Sequence, residues 1–321
     1  MATRELQPPR SPRLNLRIYQ DNGSLLAALE IPTDEQYQYI SPEMLYRYCS
    51  LIFIFPGEEK MWKIYKLQED GTTGAALPSS SRALVSPGNY IVLDTKRNPT
   101  TVNLTTESAP RRIRTRDISS QDQGQSERDR LQRSFRDSLR NRDRCCTITG
   151  LSTIFIEEHP FQDVDATHVF PVIRLEEWRR GGYRRCITDT RPNSEIGDSG
   201  LYSAQNGLLL RADIHAHFNA FQIGIDPDAN YKIIVFGSDP TGMGGTRLRD
   251  SARSGTQRVS PDLLRWHLRM CLYNRFKANA EPRPMWEEDL EEDPIGSILM
   301  QPDAAGRMEV ELFTRLGGLV A

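Results

Sequence analysis

The chain has 321 residues, with 41 Lys and Arg against 43 Asp and Glu, a formal net charge of −2. That balance excludes an affinity for nucleic acid carried by the molecule as a whole, so any such affinity must come from local patches. A mean hydropathy of −0.55 is polar for a fully compact chain and leaves room for disordered segments, while the length allows two domains, each with its own core.

No apolar run approaches the length of a membrane span, and the start, MATRELQPPRSPRLN, lacks the apolar centre of a signal peptide. Cys49, Cys145, Cys146, Cys186 and Cys271 are odd in number, form no framework and include no CxxC pair. This points to a reducing, intracellular setting and away from structural zinc knuckles. No membrane partner is expected.

Residues 1–13, rich in Pro and Arg, read as disordered. A small α+β domain is expected over 14–94. Leu14–Tyr19, Leu25–Ile31, Ser50–Phe55, Lys60–Leu67 and Tyr90–Leu93 read as strands, separated by Asn22-Gly23, Pro56-Gly57, Asp70-Gly71 and Pro87-Gly88 turns. Ser41–Tyr48 reads as a short helix with Ser41 as its N-cap and Pro42 in its first turn. This domain contains no histidine.

Residues 95–125 lack periodicity and read as a flexible linker. From Arg111 to Arg144 there are eleven Arg against six acidic residues. Within that stretch Ser126–Arg142 is expected to be a helix, with Leu131, Phe135 and Leu139 at i, i+4 and i+8. The helix is expected to dock this apolar stripe on the core of the domain that follows, with its arginines either simply solvated or also touching phosphates.

Val164–Val169 reads as a strand stopped by Pro171. Gln205–Leu210 is a second apolar run, either a strand or the lead into a helix over Arg211–Ala220. On that helix His215 and Asn219 share a face, and His217 points elsewhere. A strand ending in His168, an Asn206 and a helical His215 are residue types suited to phosphodiester hydrolysis. A neutral imidazole takes a proton from water near pH 7, a divalent cation absorbs the charge of the phosphoryl transition state, and an Asn amide pins a loop.

Cys146-Thr147-Ile148-Thr149-Gly150, then Ala166-Thr167-His168-Val169-Phe170-Pro171, then Gln205 through Phe218, resemble the HNH endonuclease family and most of all its branch in fungal proteins of unknown role. The close likeness covers about residues 144–236. It implies an α+β chain whose second domain, 126–321, is a ββα-metal nuclease with flanking helices. His168 falls on the general base, Asn206 on the Asn that braces the hairpin, and His215 on the metal ligand. The resemblance also implies one divalent ion (Mg2+ or Mn2+, with Zn2+ or Ni2+ as alternatives) and a nucleic-acid substrate, DNA rather than RNA.

Two positions depart from the family pattern. Thr167 stands where many active relatives carry a second metal ligand, and Asn219 where this branch often has Asp. Asp165 shares Thr167's face of the strand, about 6–7 Å along, and is a candidate replacement ligand beside Asn219.

The insertion between His168 and Asn206 carries Arg174, Arg179, Arg180, Arg184 and Arg185 interleaved with Trp178 and Tyr183. These are expected either to hold a nucleic-acid backbone or to be a solvated face over core aromatics. Gly197-Asp198-Ser199-Gly200 resembles a serine-protease nucleophile motif but reads as a turn, because no upstream His and Asp are suitably placed. TGMGGT at 241–246 lacks the Lys-Ser/Thr of a phosphate loop and reads as a plain flexible loop.

Phe221–Ile225 and Tyr231–Phe236 read as a hairpin, and Ser260 starts a helix to about Lys277 with two apolar stripes. His159, His217 and His267 are expected to be structural, with His217 near enough to the helix site to be a reserve ligand. The acidic run WEEDLEED at 286–293 reads as a solvated loop, and Met308–Leu316 as a last strand or helix. Two functions follow: a metal-dependent endonuclease, or a catalytically degenerate HNH-fold module that binds nucleic acid or regulates.

Overall fold

The computed structural model describes residues 5–56, 61–114, 127–151, 161, 163–278 and 283–287. It is an α+β chain of two compact units that do not follow chain order. Unit 1 is Met1–Ala109, Phe221–Arg249 and Leu264–Glu281; unit 2 is Pro110–Ala220, Asp250–Leu263 and Pro282–Ala321.

Unit 1 is built on a five-stranded sheet of β1 (Leu16–Tyr19), β2 (Leu25–Leu29), β3 (Trp62–Leu67), β4 (Thr73–Ala76) and β5 (Gly88–Asp94), in the order β2-β1-β5-β3-β4. β1 and β5 run parallel; the other pairs are antiparallel. The β1–β2 turn uses Gly23 at φ +86°, where a residue without Cβ is favoured, and Asn22 Oδ1 accepts from Ser24 N at 2.9 Å. Tyr19, Leu25, Ala28, Tyr65, Leu67, Ile91 and Leu93 form a core cluster on this sheet.

Helix α1 (Pro42–Ile52) begins as expected, with Ser41 Oγ accepting from Met44 N at 3.3 Å and Pro42 in the first turn. It does not stop at Tyr48. Leu45, Cys49 and Ile52 continue one buried face, so Ser50–Ile52, read from their apolar content as strand, are helical. Only Phe53–Ile54 is extended, pairing with Asn103–Leu104.

Parts of the expected disordered start and linker also make definite contacts in unit 1. Gln7 N donates to Gly23 O at 2.9 Å, Arg10 donates to Asn274 O at 3.1 Å, and Lys277 Nζ donates to Thr105 O at 3.1 Å and Glu107 O at 2.6 Å. Their polar composition concealed this order because it comes from main-chain hydrogen bonds, which leave no hydrophobic periodicity. Residues 1–4 and 115–126 lie outside the described residues.

The expected hairpin is present as Ile223–Asp226 paired antiparallel with Lys232–Val235. The last helix runs Pro261–Cys271 and finishes as a wider turn over Leu272–Phe276. His267 is fully buried, with its Nδ1 3.6 Å from Cys271 Sγ. It is a core histidine, as its place among apolar neighbours suggested. The side chains from Trp286 on, His159 and Met308–Leu316 lie outside the described residues.

Unit 2 holds helix α2 (Glu127–Asp143), the strand β6 (Val164–His168), helix α3 (Leu175–Arg180), the strand β7 (Gly207–Arg211) and helix α4 (Ala212–Asn219). β6 and β7 form a two-stranded antiparallel sheet in which His168 faces Gly207 and Asp165 faces Leu210. The second apolar run is therefore a strand, and α4 follows it directly.

Strand alternation sends Asp165 and Thr167 to one face of β6, and Val164, Ala166 and His168 to the other. α2 covers the second face with Leu131, Phe135 and Leu139, all buried. It can approach this closely because position 207 is Gly. A Cβ there would stand 2.5 Å from Phe135 Cζ and 2.7 Å from Leu139 Cδ1, inside van der Waals contact.

Candidate active site

The site grows from the end of β6. Asn206 is fully buried, and its amide closes the chain around His168. Its Oδ1 accepts from Phe170 N at 2.8 Å, and its Nδ2 donates to Phe170 O at 3.0 Å and to Leu201 O at 2.9 Å. Its own carbonyl accepts from Val169 N at 2.8 Å. Both ends of the long insertion are thus held on one side chain, and the backbone on either side of His168 is fixed.

Several residues that sequence reasoning did not single out hold Asn206 in turn. Arg142 is 8 % exposed and grips Asp143 through two nitrogens, at 2.8 and 2.6 Å. It also donates to Ala204 O, Gln257 O and Gly207 O at 2.8–2.9 Å. It is neither solvated nor placed for phosphate. Its position, three residues beyond Leu139, continues the apolar stripe and was the available signal.

Gln205 Oε1 accepts from Thr188 N and Asp189 N, and Nε2 donates to Thr188 Oγ1 and Thr256 O. Asp189 accepts from Arg191 and, at 2.6 Å, from Ser203 Oγ. Burial works to raise the Asp189 carboxyl, but the hydrogen bonds from Arg191 and Ser203 outweigh it and hold it down at about 2. The Cys146–Gly150 motif is a tight turn: Thr147 N and Oγ1 both donate to Leu209 O, at 2.8 and 3.1 Å.

His168 is 4 % exposed. The Phe135 ring lies flat on its imidazole, centroids 3.8 Å apart and planes 8° from parallel, and Tyr202 meets it edge-on at 5.6 Å. Its Nε2 is sealed from solvent. The imidazole is thus held in a slot between α2 and the turn at Tyr202.

The opposite face of β6 carries the other group. His215 Nδ1 donates to Asp165 Oδ2 at 2.9 Å. A carboxylate only accepts, so the proton sits on Nδ1 and Nε2 carries the lone pair. That Nε2 lies 2.8 Å from Asn219 Nδ2, the one-turn spacing expected on α4. His217 is exposed, away from this group.

Thr167 is 1 % exposed on the same face as Asp165, and its Oγ1 has no hydrogen-bond partner among the described residues. Arg140 stands near Asp165, which helps to offset the lowering of its guanidinium pKa by burial and by Arg136; its guanidinium lies over the Phe161 ring at 4.8 Å.

Among the described residues no group of three or more His, Cys, Asp or Glu is placed to hold a metal ion. The donors that are present, one imidazole nitrogen with its second nitrogen on a carboxylate, an amide and a buried hydroxyl without a partner, suit a single divalent ion that keeps several waters.

The arginines of the insertion divide. Arg174 pairs with Glu177 and Arg179 with Glu176, both at 2.7 Å. Arg184 donates to Ile187 O at 2.9 Å. Arg180 and Arg185 are exposed and make no ion pair among the described residues. Trp178 is buried against Phe170 and Tyr183, with ring centroids 5.1 and 5.9 Å away, and its Nε1 donates to Ser199 O. The indole is therefore core rather than a stacking platform, and the Gly197–Gly200 turn is its anchor, with Gly197 at φ +70° and Gly200 at φ +72°.

Residues 146–226 match the family model described as HNH endonuclease. No curated protein and no solved structure matches the chain. Over residues 146–226, then, this α+β chain carries a domain of the HNH endonuclease family.

Proposed function

We propose that the chain is a one-metal endonuclease acting on nucleic acid, DNA in preference to RNA. The observation that carries the reading is the hydrogen-bonded set Asp165–His215–Asn219 at 2.9 and 2.8 Å on one face of the strand that ends in His168. In this reading His215 Nε2 is the principal ligand and Asp165 orients it by holding the proton on Nδ1. Asn219 contributes Oδ1 after its amide turns over, and Thr167 Oγ1 lies ready as a further oxygen donor.

Bound there, a divalent ion supplies charge to absorb the negative charge that builds on the phosphoryl oxygens. His168, once its ring turns out from under Phe135, takes the proton of the attacking water, and Asn206 keeps the backbone of His168 at the end of its strand. Arg180 and Arg185, exposed and without an ion pair among the described residues, hold the backbone of the substrate, with Arg174, Arg179 and Arg184 as a second rank that must first leave their present partners. Arg140 adds a cation beside Asp165.

One observation favours a second reading. His168 Nε2 is sealed beneath Phe135, and a base that cannot meet water in this conformation also suits a nucleic-acid-binding or regulatory module that has lost cleavage.

Thermal melting with added Mn2+ or Ni2+ separates the two. A ligand at 100 times its Kd stabilises by about 2.7 kcal/mol. The nuclease reading expects metal protection that disappears in His215→Ala and needs about 10- to 100-fold more metal in Asp165→Asn, where the orienting carboxylate is gone. No protection of the folded wild type by any divalent ion favours the module.

A further inference from the structure

Unit 1 contains a cavity of about 440 Å³, within the range of about 300–1,000 Å³ typical of small-ligand sites. One wall is the chain leaving β2, with Glu30, Pro32, Tyr37 and Tyr39; the other is the glycine-rich loop, with Asp239 and Pro240. That loop is not a plain flexible connection. Asp239 gathers it by accepting from Met243 N at 3.2 Å, Gly244 N at 2.6 Å and Thr241 Oγ1 at 3.1 Å.

Gly244 and Gly245 lie flat against Tyr39, where a Cβ would come within 2.6 and 2.7 Å of that side chain. Tyr39 is fixed in turn, since its hydroxyl donates to Val235 O at 3.3 Å and accepts from Val235 N at 3.1 Å. Gly244 thus lines the wall and Gly245 packs behind it on Tyr39, which explains part of a motif with no phosphate-loop chemistry.

The charge of the cavity is one-sided. Among the described residues no Lys or Arg lines it. Asp239 accepts only from neutral donors, and Glu30 makes no hydrogen bond or ion pair among the described residues. The neighbouring cation, Lys232, lies outside the lining and donates Nζ to Tyr39 O at 3.0 Å. Two carboxylates in a concave, partly apolar site concentrate negative potential. Ile31, Pro32 and Pro240 supply apolar surface, and Tyr37, 60 % exposed, offers a ring face.

We propose that this cavity binds a guanidinium group on an apolar stem, the side chain of an arginine in a peptide. A planar guanidinium can stack on Tyr37 while directing N–H groups at Glu30 and Asp239. An ammonium would lack that fork. The site belongs to unit 1 and does not depend on whether unit 2 cleaves nucleic acid.

The test is calorimetric titration of the full chain with N-acetylarginine amide, its neutral isostere N-acetylcitrulline amide, and spermine, with backbone amide shifts to locate the site. Saturable binding of the arginine amide is expected, perturbing Gly237–Gly244 amides. Loss of the charged hydrogen bond should weaken binding at least about fivefold, both for the citrulline amide and for Glu30→Gln. Glu30 makes no bond within the described residues, so this variant should melt as the wild type does.

Equal binding of the arginine and citrulline amides, no saturation by the arginine amide, or unchanged affinity in Glu30→Gln overturns the proposal. Tight binding of spermine with none of the arginine amide overturns it as well and makes the cavity a polyamine site.

Discussion

Replacing Asn206 by Ala removes three hydrogen bonds from a fully buried position and leaves Phe170 N–H, Phe170 C=O and Leu201 C=O without their partner. Each buried backbone group left unsatisfied costs about 1–3 kcal/mol. Partial relaxation, or a water entering the space of the lost amide, recovers some of this. The net expectation is a loss of about 3–5 kcal/mol, a large part of the roughly 5–15 kcal/mol that holds a typical domain folded.

Urea unfolding followed by tryptophan fluorescence measures the loss, because Trp178 packs on Phe170 beside the site. At about 2–4 °C per kcal/mol for a unit of this size, the transition temperature should fall by about 6–20 °C. Asn206→Asp is the informative partner variant. It keeps an acceptor for Phe170 N but turns a carboxylate oxygen toward two carbonyls, so it should rescue little. A loss below about 1 kcal/mol in Asn206→Ala, or full stability in Asn206→Asp, would refute the claim that this amide is the brace of the insertion.

Two further outcomes follow from the same packing. Gly207→Ala places a methyl 2.5 Å from Phe135 Cζ, so it should destabilise unit 2 by about 1–3 kcal/mol through overpacking, and Phe135→Leu in the same chain should relieve part of it; additive losses would contradict the close approach of α2. Asp189 is held at about 2, below its unfolded value near 3.8, so its contribution is present above pH about 4 and is lost as pH falls through about 2. Allowing for the solvent around Arg191, it amounts to about 1–2 kcal/mol, and Asp189→Asn should flatten the acid side of the stability profile; an unchanged profile would contradict it.

The parts of the site legible in the sequence are those whose neighbours lie close along the chain. His168 at a strand end, Asn206 nine residues before His215, and Asn219 one helical turn beyond it need only local geometry. Leu131, Phe135 and Leu139 announced an apolar face by spacing alone.

That this face docks on the core of the domain was expected; which residue of the core it meets was not legible from spacing. Phe135 covers His168, 33 residues away in sequence, because Gly207 across the hairpin leaves room, a contact that needs the β6–β7 register. Asp165 was weighed as a ligand because it shares a strand face with Thr167. The register of β6 against α4 instead puts it on His215 Nδ1.

The brace formed by Asp189, Arg191, Ser203 and Gln205 was invisible for another reason. Separate polar residues carry no periodicity, and their partners are side chains and backbone groups brought together only once the insertion folds. In α1 the sequence misled at Ser50–Ile52, where apolar content suited a strand as well as a helix and the continuing Leu45–Cys49–Ile52 face decided it.

The reaction proposed for this fold is cleavage of nucleic acid with His168 as base. The most direct measurement is nicking of supercoiled plasmid by purified wild type and His168→Ala, each with Mg2+, Mn2+, Ni2+ or a chelator. Nicking by the wild type should require metal, be abolished by the chelator and be absent in His168→Ala at equal folded concentration. No cleavage by folded wild type with any of these ions, or equal cleavage by the variant, would contradict it.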